Sequence, residues 1–478
     1  IGIFSSGAVL TYNLTAQNNA SNNGATIFNA ADAASPRTVT LNGTNLFENN
    51  SGIGLSIRSF GAVTANNVTA NNNGGDGTFI NNCGWNGTSC AAAVISAVNF
   101  TGSNTFRGNG GDGLEAHSKG VITVNNVQAS DNSGYGALLD NQETGAAGGV
   151  NVRNTPAYWP EFSRNGLDGL AVFSNGGILV MDLDAYQNGG YGVFLDNATG
   201  GGTGNVTLGT SRARWINGLN GNFYSGLEIY SNGVVTLSNI QANNNGNASV
   251  NPVGYGAYVR NDGASAPKGV TLLGRGYFYN NASGGLYVYS KGAILLANIE
   301  AGDNGHRAGG GHGVFLTNTS AAAPQPVTLT GSNTFNNNKS GGLEVQSKGV
   351  IKANSVDANN NLFGVLLNNN NPGAAGGVYL TGGVWTSDNT AYGMNVQSKG
   401  VISVVVSDAW AIRPESESSG RNRMSKRRPG SIRVTYSTQP SFGSGGRASS
   451  DPSVSTCHGV PGAIRTDARK SIVSTPIG

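Results

Sequence analysis

A repeated segment of about 57 residues runs through most of this 478-residue chain and narrows the folds open to it. The segment GLEIYSNGVVTLSNIQANNNG, which starts at Gly226, recurs as GLYVYSKGAILLANIEAGDNG from Gly285 and as GLEVQSKGVIKANSVDANNN from Gly342. Earlier copies start at Gly54, Gly113 and Gly169. Self-similarity at a fixed period is typical of stacked repeat architectures, in which each unit buries its apolar face against its neighbours.

A shorter, related motif lies between these copies and halves the repeat. It reads GVFLDN at Gly192 and GAYVRN at Gly256, and it aligns with GLEIYS, with Asn in place of Ser. We call this alternating position the slot, and each slot marks one rung. The slot residues are Ser5, Asn29, Ser59, Asn82, Ser118, Asn141, Ser174, Asn197, Ser231, Asn261, Ser290, Asn318, Ser347, Asn369 and Ser398.

Each rung alternates apolar and polar residues with a period of two. In GLEIYS, Leu227 and Ile229 alternate with polar or aromatic residues, which predicts a short strand with one buried face. The stretches VVTLSNIQ from Val234 and VTLTGSNTF from Val327 predict further strands. Short strands joined by Gly and Asn corners bury a face only when rungs stack into parallel sheets, at about 4.8 Å per rung.

Over residues 1–406 this pattern resembles the right-handed parallel β-helix of the pectate-lyase-like superfamily, in the repetitive form found in bacterial secreted and surface proteins. The resemblance implies an all-β solenoid of about 15 rungs with an irregular C-terminal tail. A left-handed β-helix fits less well because hexapeptide repeats are absent. A seven-bladed propeller does not explain the half-repeat.

The slot has a mechanical interpretation. Amides stacked in register along a parallel coil can hydrogen-bond to one another at every turn, and Asn tolerates the left-handed conformation of sharp corners. A structural role is therefore predicted, rather than a catalytic one. The residues assigned to this structural ladder are Ser118, Asn141, Ser174, Asn197, Ser231, Asn261, Ser290, Asn318, Ser347 and Asn369.

The composition argues against several classes of partner. Charged residues make up 11% of the chain and the net charge is +3, so the repeat region offers a weak surface for nucleic acid. No run approaches the roughly 18 apolar residues that a membrane-spanning helix needs. No cofactor motif is present, and no cofactor is expected.

The repeat stops after residue 406. Residues 407–478 form a basic tail, which we interpret as a low-order segment, a linker or the product of a changed reading frame. Its basic cluster comprises Arg421, Arg423, Lys426, Arg427 and Arg428. The first residues, IGIFSSG, align with LEIYSNG, so the chain starts inside a rung. We expect it to be part of a longer repeat protein, because an uncapped solenoid end exposes strand edges.

Few residues suggest catalysis. The sequence Gly311-His312-Gly313 is similar to a polygalacturonase motif of the same superfamily, but the NTD, DD and RIK segments of those enzymes do not occur. His312 also occupies a repeat position that elsewhere holds Tyr or Phe. Asp182 and Asp184, two residues apart, are the best acidic pair and are expected on one face of a strand. All three are weak candidates.

The sequence leaves open whether two acidic turns bind a metal and whether two cysteines are bonded. The sequences NGGDG at Asn73 and GNGGDG at Gly108 indicate ordinary Asp-Gly turns more strongly than a metal site. No metal site is predicted, although weak Ca²⁺ binding is conceivable at Asp76, Asp112 or Asp168. Cys83 and Cys90 flank a short loop, CGWNGTSC, and either form a disulfide or remain free thiols.

One surface feature predicts binding. Outward positions of successive rungs carry aromatic residues, which suits stacking against sugar rings or docking of a partner. The alternative is that loops such as QETGAAGG from Gln142 and TSAAAPQP from Thr319 fold over these positions. The predicted binding residues are Phe194, Tyr230, Tyr258, Tyr287, Tyr289 and Phe315.

These observations favour a non-enzymatic, exported repeat module that acts as a surface stalk or adhesin-like segment and binds glycans weakly. The expected location is extracellular or at the cell surface, and the expected partners are carbohydrate or a surface protein. The alternative is a polysaccharide-active enzyme, a lyase or a glycoside hydrolase, on the same fold, because a fold does not determine a function. The two differ in whether three or more charged side chains converge in one groove.

Overall fold

The computed structural model describes residues 1–405, together with 432–436 and 456–457. Within the first range it leaves out 31, 88, 92–93, 156–157, 213–214, 247–253 and 307–309. The described residues form strands and no helix, so they include no helix long and apolar enough to cross a bilayer. The chain folds as a right-handed parallel β-helix, as predicted.

The first sheet carries the slot at the end of its strands. Among the described residues it has 17 strands, of which two follow residue 406 and fifteen belong to the repeat, one for each predicted rung. These fifteen strands, numbered here as rungs 1–15, are Gly2–Phe4, Ala25–Asn29, Leu55–Ser59, Thr78–Asn81, Leu114–His117, Ala137–Asn141, Leu170–Ser174, Val193–Asp196, Leu227–Tyr230, Tyr255–Asn261, Gly284–Ser290, Val314–Thr317, Gly341–Gln346, Phe363–Asn369 and Tyr392–Ser398.

The second sheet follows the glycine turn after each slot. Its strands pair in parallel with the strands of neighbouring rungs. They are Val9–Tyr12, Val39–Asn42, Val63–Asn66, Val98–Thr101, Ile122–Asn125, Val150–Arg153, Ile178–Met181, Val206–Gly209, Val235–Gln241, Val270–Tyr279, Ile294–Ala297, Val327–Thr330, Ile351–Asp357, Val378–Trp385 and Ile402–Val404.

The third sheet closes each coil. In the first half of the chain it is separate and contains Thr15–Gln17, Asn45–Glu48, Val68–Asn71, Asn104–Arg107 and Val127–Ser130. In the second half, long strands of the second sheet bend into it. Val270–Tyr279, for example, pairs with both Ile294–Ala297 and Ile299–Gly302. Two short strands, Asn217–Gly218 and Asn333–Thr334, complete this side.

The tail adds two strands to the first sheet. Ile432–Tyr436 pairs in parallel with the strand of rung 15, and Thr456–Cys457 pairs antiparallel with Ile432–Tyr436. The remainder of 407–478, including the basic cluster from Arg421 to Arg428, lies outside the described residues. The predicted low order of this tail stays a prediction.

The interior explains why the repeat unit spans two rungs. A single apolar core runs from Val9 to Ile402. On the third-sheet side, large and small side chains alternate along one buried column, so Phe106 stacks on Ala129 and Phe278 on Ala301. A large side chain in one rung and a small one in the next interdigitate and fill the coil at constant width, so the pattern repeats every two rungs. The column consists of Phe47, Ala70, Phe106, Ala129, Phe162, Ala185, Leu219, Ala242, Phe278, Ala301, Phe335 and Ala358.

The slot residues stack as predicted, but their hydrogen bonds go to the backbone. Each Ser accepts a bond from the backbone N–H of the glycine two residues later, as Ser231 does from Gly233 at 3.0 Å. Each Asn donates to the carbonyl of that glycine in the rung before, as Asn261 does to Gly233 at 3.4 Å. The Ser of one rung and the Asn of the next rung therefore both bond to the backbone of the same glycine turn.

The prediction that the slot amides hydrogen-bond to one another is wrong for the residues from Ser118 to Asn369. Among the described residues, the one bond between slot side chains joins Ser118 Oγ to Asn82 Oδ1 at 3.0 Å. The reason is geometric. The glycine turn brings unpaired backbone carbonyls within reach of each amide, and a buried carbonyl needs a donor.

A true amide ladder lies at the opposite corner of the coil, just before the first sheet. Asn188 Nδ2 donates to Asn222 Oδ1 at 2.9 Å, and Asn165 Nδ2 donates to Asn188 Oδ1 at 3.0 Å. The same bond recurs from rung to rung. The ladder consists of Asn19, Asn50, Asn73, Asn109, Asn132, Asn165, Asn188, Asn222, Asn245, Asn281, Asn304, Asn338, Asn361 and Asn389.

The residue before each ladder Asn has a left-handed backbone conformation. Gln187, for example, has φ of 57° and Asn244 has φ of 58°. The preceding position is usually Asn, Asp or Gly, which adopt this conformation at the lowest steric cost. The corner turns there, and the next amide points into the coil, where it joins the ladder.

Candidate functional site

The outer face of the first sheet carries a continuous band of aromatic rings, the aromatic stripe. All six residues predicted for binding lie in it. The ring centroids of Phe194 and Tyr230 are 5.9 Å apart, those of Tyr230 and Tyr258 6.4 Å, and those of Tyr258 and Tyr289 5.5 Å. Phe315 continues the chain of contacts at 5.6 Å from Tyr289. Parallel pairing in register places Tyr258, Tyr287 and Phe315 above one another on successive rungs, whereas Tyr230 is in register with Arg260 and contacts Tyr258 diagonally.

A second column of rings widens the stripe. It occupies the residue just before the glycine that opens the strand, or two residues before it at Tyr224, and Tyr255 in this column lies 4.7 Å from Tyr287. The sequence shows aromatic residues recurring at this position, but only the coil places them beside the outward strand residues. The added rings, with Phe173 from the strand of rung 7, are Phe173, Tyr191, Tyr224, Tyr255, His312, Phe363 and Tyr392.

The stripe remains partly open to solvent. Its rings are half-buried, because each packs against its neighbours while one edge faces outward. The loops that were expected to compete for this face hydrogen-bond at the corner after the slot. Lys348 Nζ donates to the carbonyl of Ala321 at 2.8 Å, and Asn175 Nδ2 donates to that of Gln142 at 2.7 Å. These bonds hold the loops along the corner between the first and second sheets.

Polar groups within the stripe are mostly paired with each other. Tyr230 donates to Glu228 Oε1 at 2.8 Å, and Arg260 pairs with Asp262 at 3.2 Å. Burial raises the pKa of Tyr258 to about 12, so its hydroxyl stays a neutral donor. The face is therefore nearly uncharged and rich in hydroxyl groups.

His312, a weak catalytic candidate from the sequence, lies inside the stripe. Its ring stacks on Tyr287 at 6.0 Å between centroids and also lies 5.7 Å from Phe315. Burial lowers its pKa to about 4, so the imidazole is neutral at neutral pH. Its Nε2 is 3.1 Å from Ser340 Oγ. The geometry makes His312 one more ring of the stripe.

An acidic cluster lies on the same face, at rungs 4 and 5. One carboxylate oxygen from each of Asp76, Asp112 and Glu115 lies within 4.8 Å of the others, an arrangement that could hold a cation. Asp76 Oδ1 also accepts the backbone N–H of Asp112 at 2.9 Å, and Asp112 Oδ1 accepts that of Tyr135 at 2.7 Å. Burial raises the pKa of Asp76, and it raises that of Asp112 to about 7.

A histidine and a tryptophan extend this cluster. His117 Nε2 lies 2.6 Å from Glu115 Oε1, and Nδ1 lies 3.3 Å from Asp140 Oδ2. Burial alone would lower the pKa of His117, but hydrogen bonds to Asp140 and Glu115 raise it overall. The Trp85 ring lies flat on this imidazole, with 4.2 Å between centroids.

A disulfide holds the tryptophan loop in place. Cys83 and Cys90 are bonded, which decides between the two alternatives that the sequence left open. Asn81 ties the loop to the strand of rung 4, since its side chain both donates to and accepts from the Trp85 backbone at 2.7 Å. Of the three aspartates at which the sequence leaves weak Ca²⁺ binding open, Asp76 and Asp112 lie beside Glu115, whereas Asp168 lies outside this cluster.

We predict that Asp112→Asn raises the melting temperature at pH 8 and leaves it unchanged at pH 4. Between about pH 4 and pH 7 the folded chain keeps a proton on Asp112 that the unfolded chain has released, because burial raises the pKa from 3.8 to about 7. Stability therefore falls as the pH rises through this window. Asparagine keeps the acceptor for Tyr135 and removes the buried charge.

Thermal unfolding in EDTA at a series of pH values measures this effect without divalent cations. Asp32→Asn, at an exposed aspartate that makes a similar turn bond to Ala34, is the matched control. If the melting temperatures of Asp112→Asn and the wild type depend on pH in the same way, ionisation of Asp112 does not destabilise the fold.

The remaining acidic pair does not act as one unit. Asp182 has φ of 55° and lies at a corner, so the expectation that it shares one face of a strand with Asp184 is wrong. Asp182 is fully buried and accepts bonds from Thr210 Oγ1 at 2.7 Å and from both N–H and Oγ of Ser211. Asp184 is half-buried on the outer side of the coil and accepts the backbone N–H of Gly218 at 2.9 Å.

Comparison with known proteins finds no family model, no curated protein and no solved structure that matches this chain. The fold assignment therefore rests on the strand pairing itself, which links the fifteen rungs in parallel register.

Proposed function

We propose that this chain is an exported, surface-associated repeat module that binds extended glycans along the aromatic stripe. The observation that carries the proposal is the unbroken series of ring contacts, from Phe173 in rung 7 to Tyr392 in rung 15. Aromatic faces stack on sugar rings, and Tyr hydroxyl groups beside them supply hydrogen bonds. Few charged groups of the stripe lack a partner, which favours neutral sugars.

The spacing of the rungs suits binding of a glycan through many weak contacts. Rungs are about 4.8 Å apart, so two rungs span about the length of two sugar residues in an extended chain. Each stacked ring contributes about 1 kcal/mol. Affinity for a short oligosaccharide is then millimolar, and long polymers gain from several contacts made at once.

Two further features support an exported protein. The Cys83–Cys90 disulfide is of a kind that persists in oxidising compartments. The resemblance of the rung pattern to the repetitive β-helices of the pectate-lyase-like superfamily points to secreted and surface proteins. A stalk or adhesin-like role follows from this location together with a ligand-binding face that repeats along the rod.

A second candidate function is hydrolysis of the bound glycan at the acidic cluster. The observation that favours it is the convergence of Asp76, Asp112 and Glu115, since three charged groups in one groove were the sequence-based criterion for an enzyme. Burial raises the pKa of Asp112 to about 7, as a general acid requires, and Glu115 is the adjacent carboxylate. Carboxyl groups about 5 Å apart are typical of retaining glycosidases.

Titration with xylohexaose, cellohexaose and maltohexaose tests the leading proposal. We expect millimolar binding of at least one of them, insensitive to salt, and a loss of about thirtyfold in affinity in the Tyr258→Ala/Tyr289→Ala double variant, which lacks two stacking rings. Tyr12→Ala, at a tyrosine 66% exposed on the second sheet, is the matched control. Absence of binding, or equal binding by the double variant and the control, would contradict the proposal.

The same incubations distinguish the second candidate. Release of reducing ends by the wild type, abolished in Asp112→Asn, would support hydrolysis. No release between pH 4 and pH 8 would leave the acidic cluster without a catalytic role and the stripe as a binding surface alone.

A further inference from the structure

The third-sheet side of rungs 6–9 departs from the repeat. The described residues of two longer connections there are 154–155 with 158–160, and 210–212 with 215–216. They bring together Trp159 and Trp215, whose ring centroids are 5.0 Å apart in an edge-on arrangement. Trp159 is 59% exposed, which is unusual for so large an apolar side chain.

One arginine ties the two segments together. The Arg212 guanidinium lies 4.3 Å from the ring centroid of Trp215 and donates to the carbonyls of Thr155 at 2.7 Å and Tyr158 at 2.5 Å. A cation held over a ring and bonded on its edge fixes both segments. The indole N–H of Trp215 is buried and has no partner among the described residues.

A cavity of about 510 Å³ opens on the same side of the coil. Ile216, the residue after Trp215, lines it. The cavity exists because Gly218 provides no side chain in the outward column, and a Cβ at that position would lie 2.7 Å from Asp184 Oδ1. The polar side chains around it are Asp184, Tyr186, Asn220 and Gln241.

These polar groups are positioned by bonds to the rungs around them. Asp184 uses Oδ1 for the N–H of Gly218, and Asn220 uses Oδ1 for the N–H of Asn243 at 2.9 Å. Tyr186 donates to Glu161 Oε1 at 2.9 Å. The second carboxylate oxygen of Asp184 and the amide nitrogen of Asn220 make no bond among the described residues and can serve a ligand.

Charge at the cavity is low. Glu161, which accepts the hydroxyl of the lining residue Tyr186, pairs with Arg107 at 3.0 Å and with Arg164 at 3.1 Å. A carboxylate and carboxamides beside an aromatic side chain form the usual chemistry of a site for a hydroxyl-rich, uncharged ring.

We propose that this cavity binds a neutral sugar unit, at a site separate from the aromatic stripe. Adjacent hydroxyl groups of the sugar bond to Asp184 and to the amides of Asn220 and Gln241, and the sugar ring packs against Tyr186. Because the cavity lies on the third sheet and the stripe on the first, neither site depends on the other. This proposal can therefore be tested independently of the proposed function of the stripe.

The test uses the full chain carrying Tyr258→Ala/Tyr289→Ala, so that the stripe is weakened from the start. Xylohexaose, cellohexaose and maltohexaose are titrated into this parent and followed by calorimetry. We expect residual binding of at least one probe near one site per chain. Tyr186→Ala and Gln241→Ala, at two lining residues, should each weaken that binding at least fivefold.

Gly218→Ala provides a second variant, because it reduces the cavity and crowds Asp184 without removing any polar lining group. Thermal unfolding of each variant shows whether the coil is intact. Residual binding that none of these substitutions weakens would overturn the proposal, as would a parent that binds none of the three sugars. Failure of the stripe proposal looks different, since the parent would then bind as tightly as the wild type.

Discussion

Asn188→Leu should lower the free energy of unfolding by about 3–5 kcal/mol, the largest effect expected from one side chain of this protein. Asn188 makes four buried hydrogen bonds. It accepts from the backbone N–H and the Nδ2 of Asn165, and it donates to Asn222 Oδ1 and to the carbonyl of Phe162. Leucine leaves at least two of these groups buried without a partner, at about 1–3 kcal/mol each.

Chemical denaturation of the full chain measures this loss. The slot variant Asn261→Leu should cost less, about 1–3 kcal/mol, because Asn261 donates to backbone carbonyls and its Oδ1 has no partner among the described residues. Asn205→Leu, in an exposed turn, is the matched control and should cost under about 0.5 kcal/mol. Equal costs for Asn188 and Asn205 would mean that the ladder does not stabilise the coil.

Gly233→Ala should destabilise the protein by about 3 kcal/mol or more, although it adds a single methyl group. A Cβ at Gly233 would lie 1.8 Å from the carbonyl oxygen of Gly204 in the preceding rung. Both groups are backbone, so neither can rotate away and the rungs themselves have to separate. Separation also disturbs Ser231 and Asn261, which hydrogen-bond to Gly233 from two rungs.

Gly7→Ala is a control at the same repeat position. Gly7 follows the slot residue Ser5 as Gly233 follows Ser231, but the nearest atom to its Cβ would be 3.7 Å away. The same substitution should therefore be nearly neutral there. Similar losses of stability at both positions, measured by denaturation, would show that conformational preference rather than rung contact makes this glycine necessary.

The strand order of the coil could be predicted from sequence because its causes are local. Apolar residues at every second position, such as Leu227 and Ile229, predict a strand. The regular recurrence of Ser or Asn indicates where the first-sheet strand of each rung ends. Each rung also resembles the next, so many weak local signals agree. Fifteen slot residues therefore predict fifteen strands, which is the number in the repeat region of the first sheet.

The ladder was missed although its signal is present in the sequence. In most rungs an Asn stands four residues before the glycine that opens the strand, as Asn188 does before Gly192. Asn is so abundant in this chain that such a column is hard to distinguish from turn residues. Which amide bonds to its copy depends on the turn before it, and that turn is set by the left-handed residue at each corner.

The candidate sites were predictable to different degrees. The stripe could be located because its residues lie on strands, where an outward position follows from the period of two. The acidic cluster could not, because Asp76 and Asp112 come from corners and only the coil brings them to Glu115 on a strand. For the same reason Asp182 and Asp184, neighbours in sequence, occupy different environments on the two sides of a corner.

The sequence by itself determined the rungs, their strands and the outward direction of the stripe, since all of these depend on residues close together in the chain. Only the tertiary structure decided which side chains meet across rungs, often more than twenty residues apart. Those contacts include the bonds of the slot, the ring neighbours of His312 and the cavity above Gly218. They depend on the exact path of each corner, and a shift of one residue there would send a side chain to the other face of the coil.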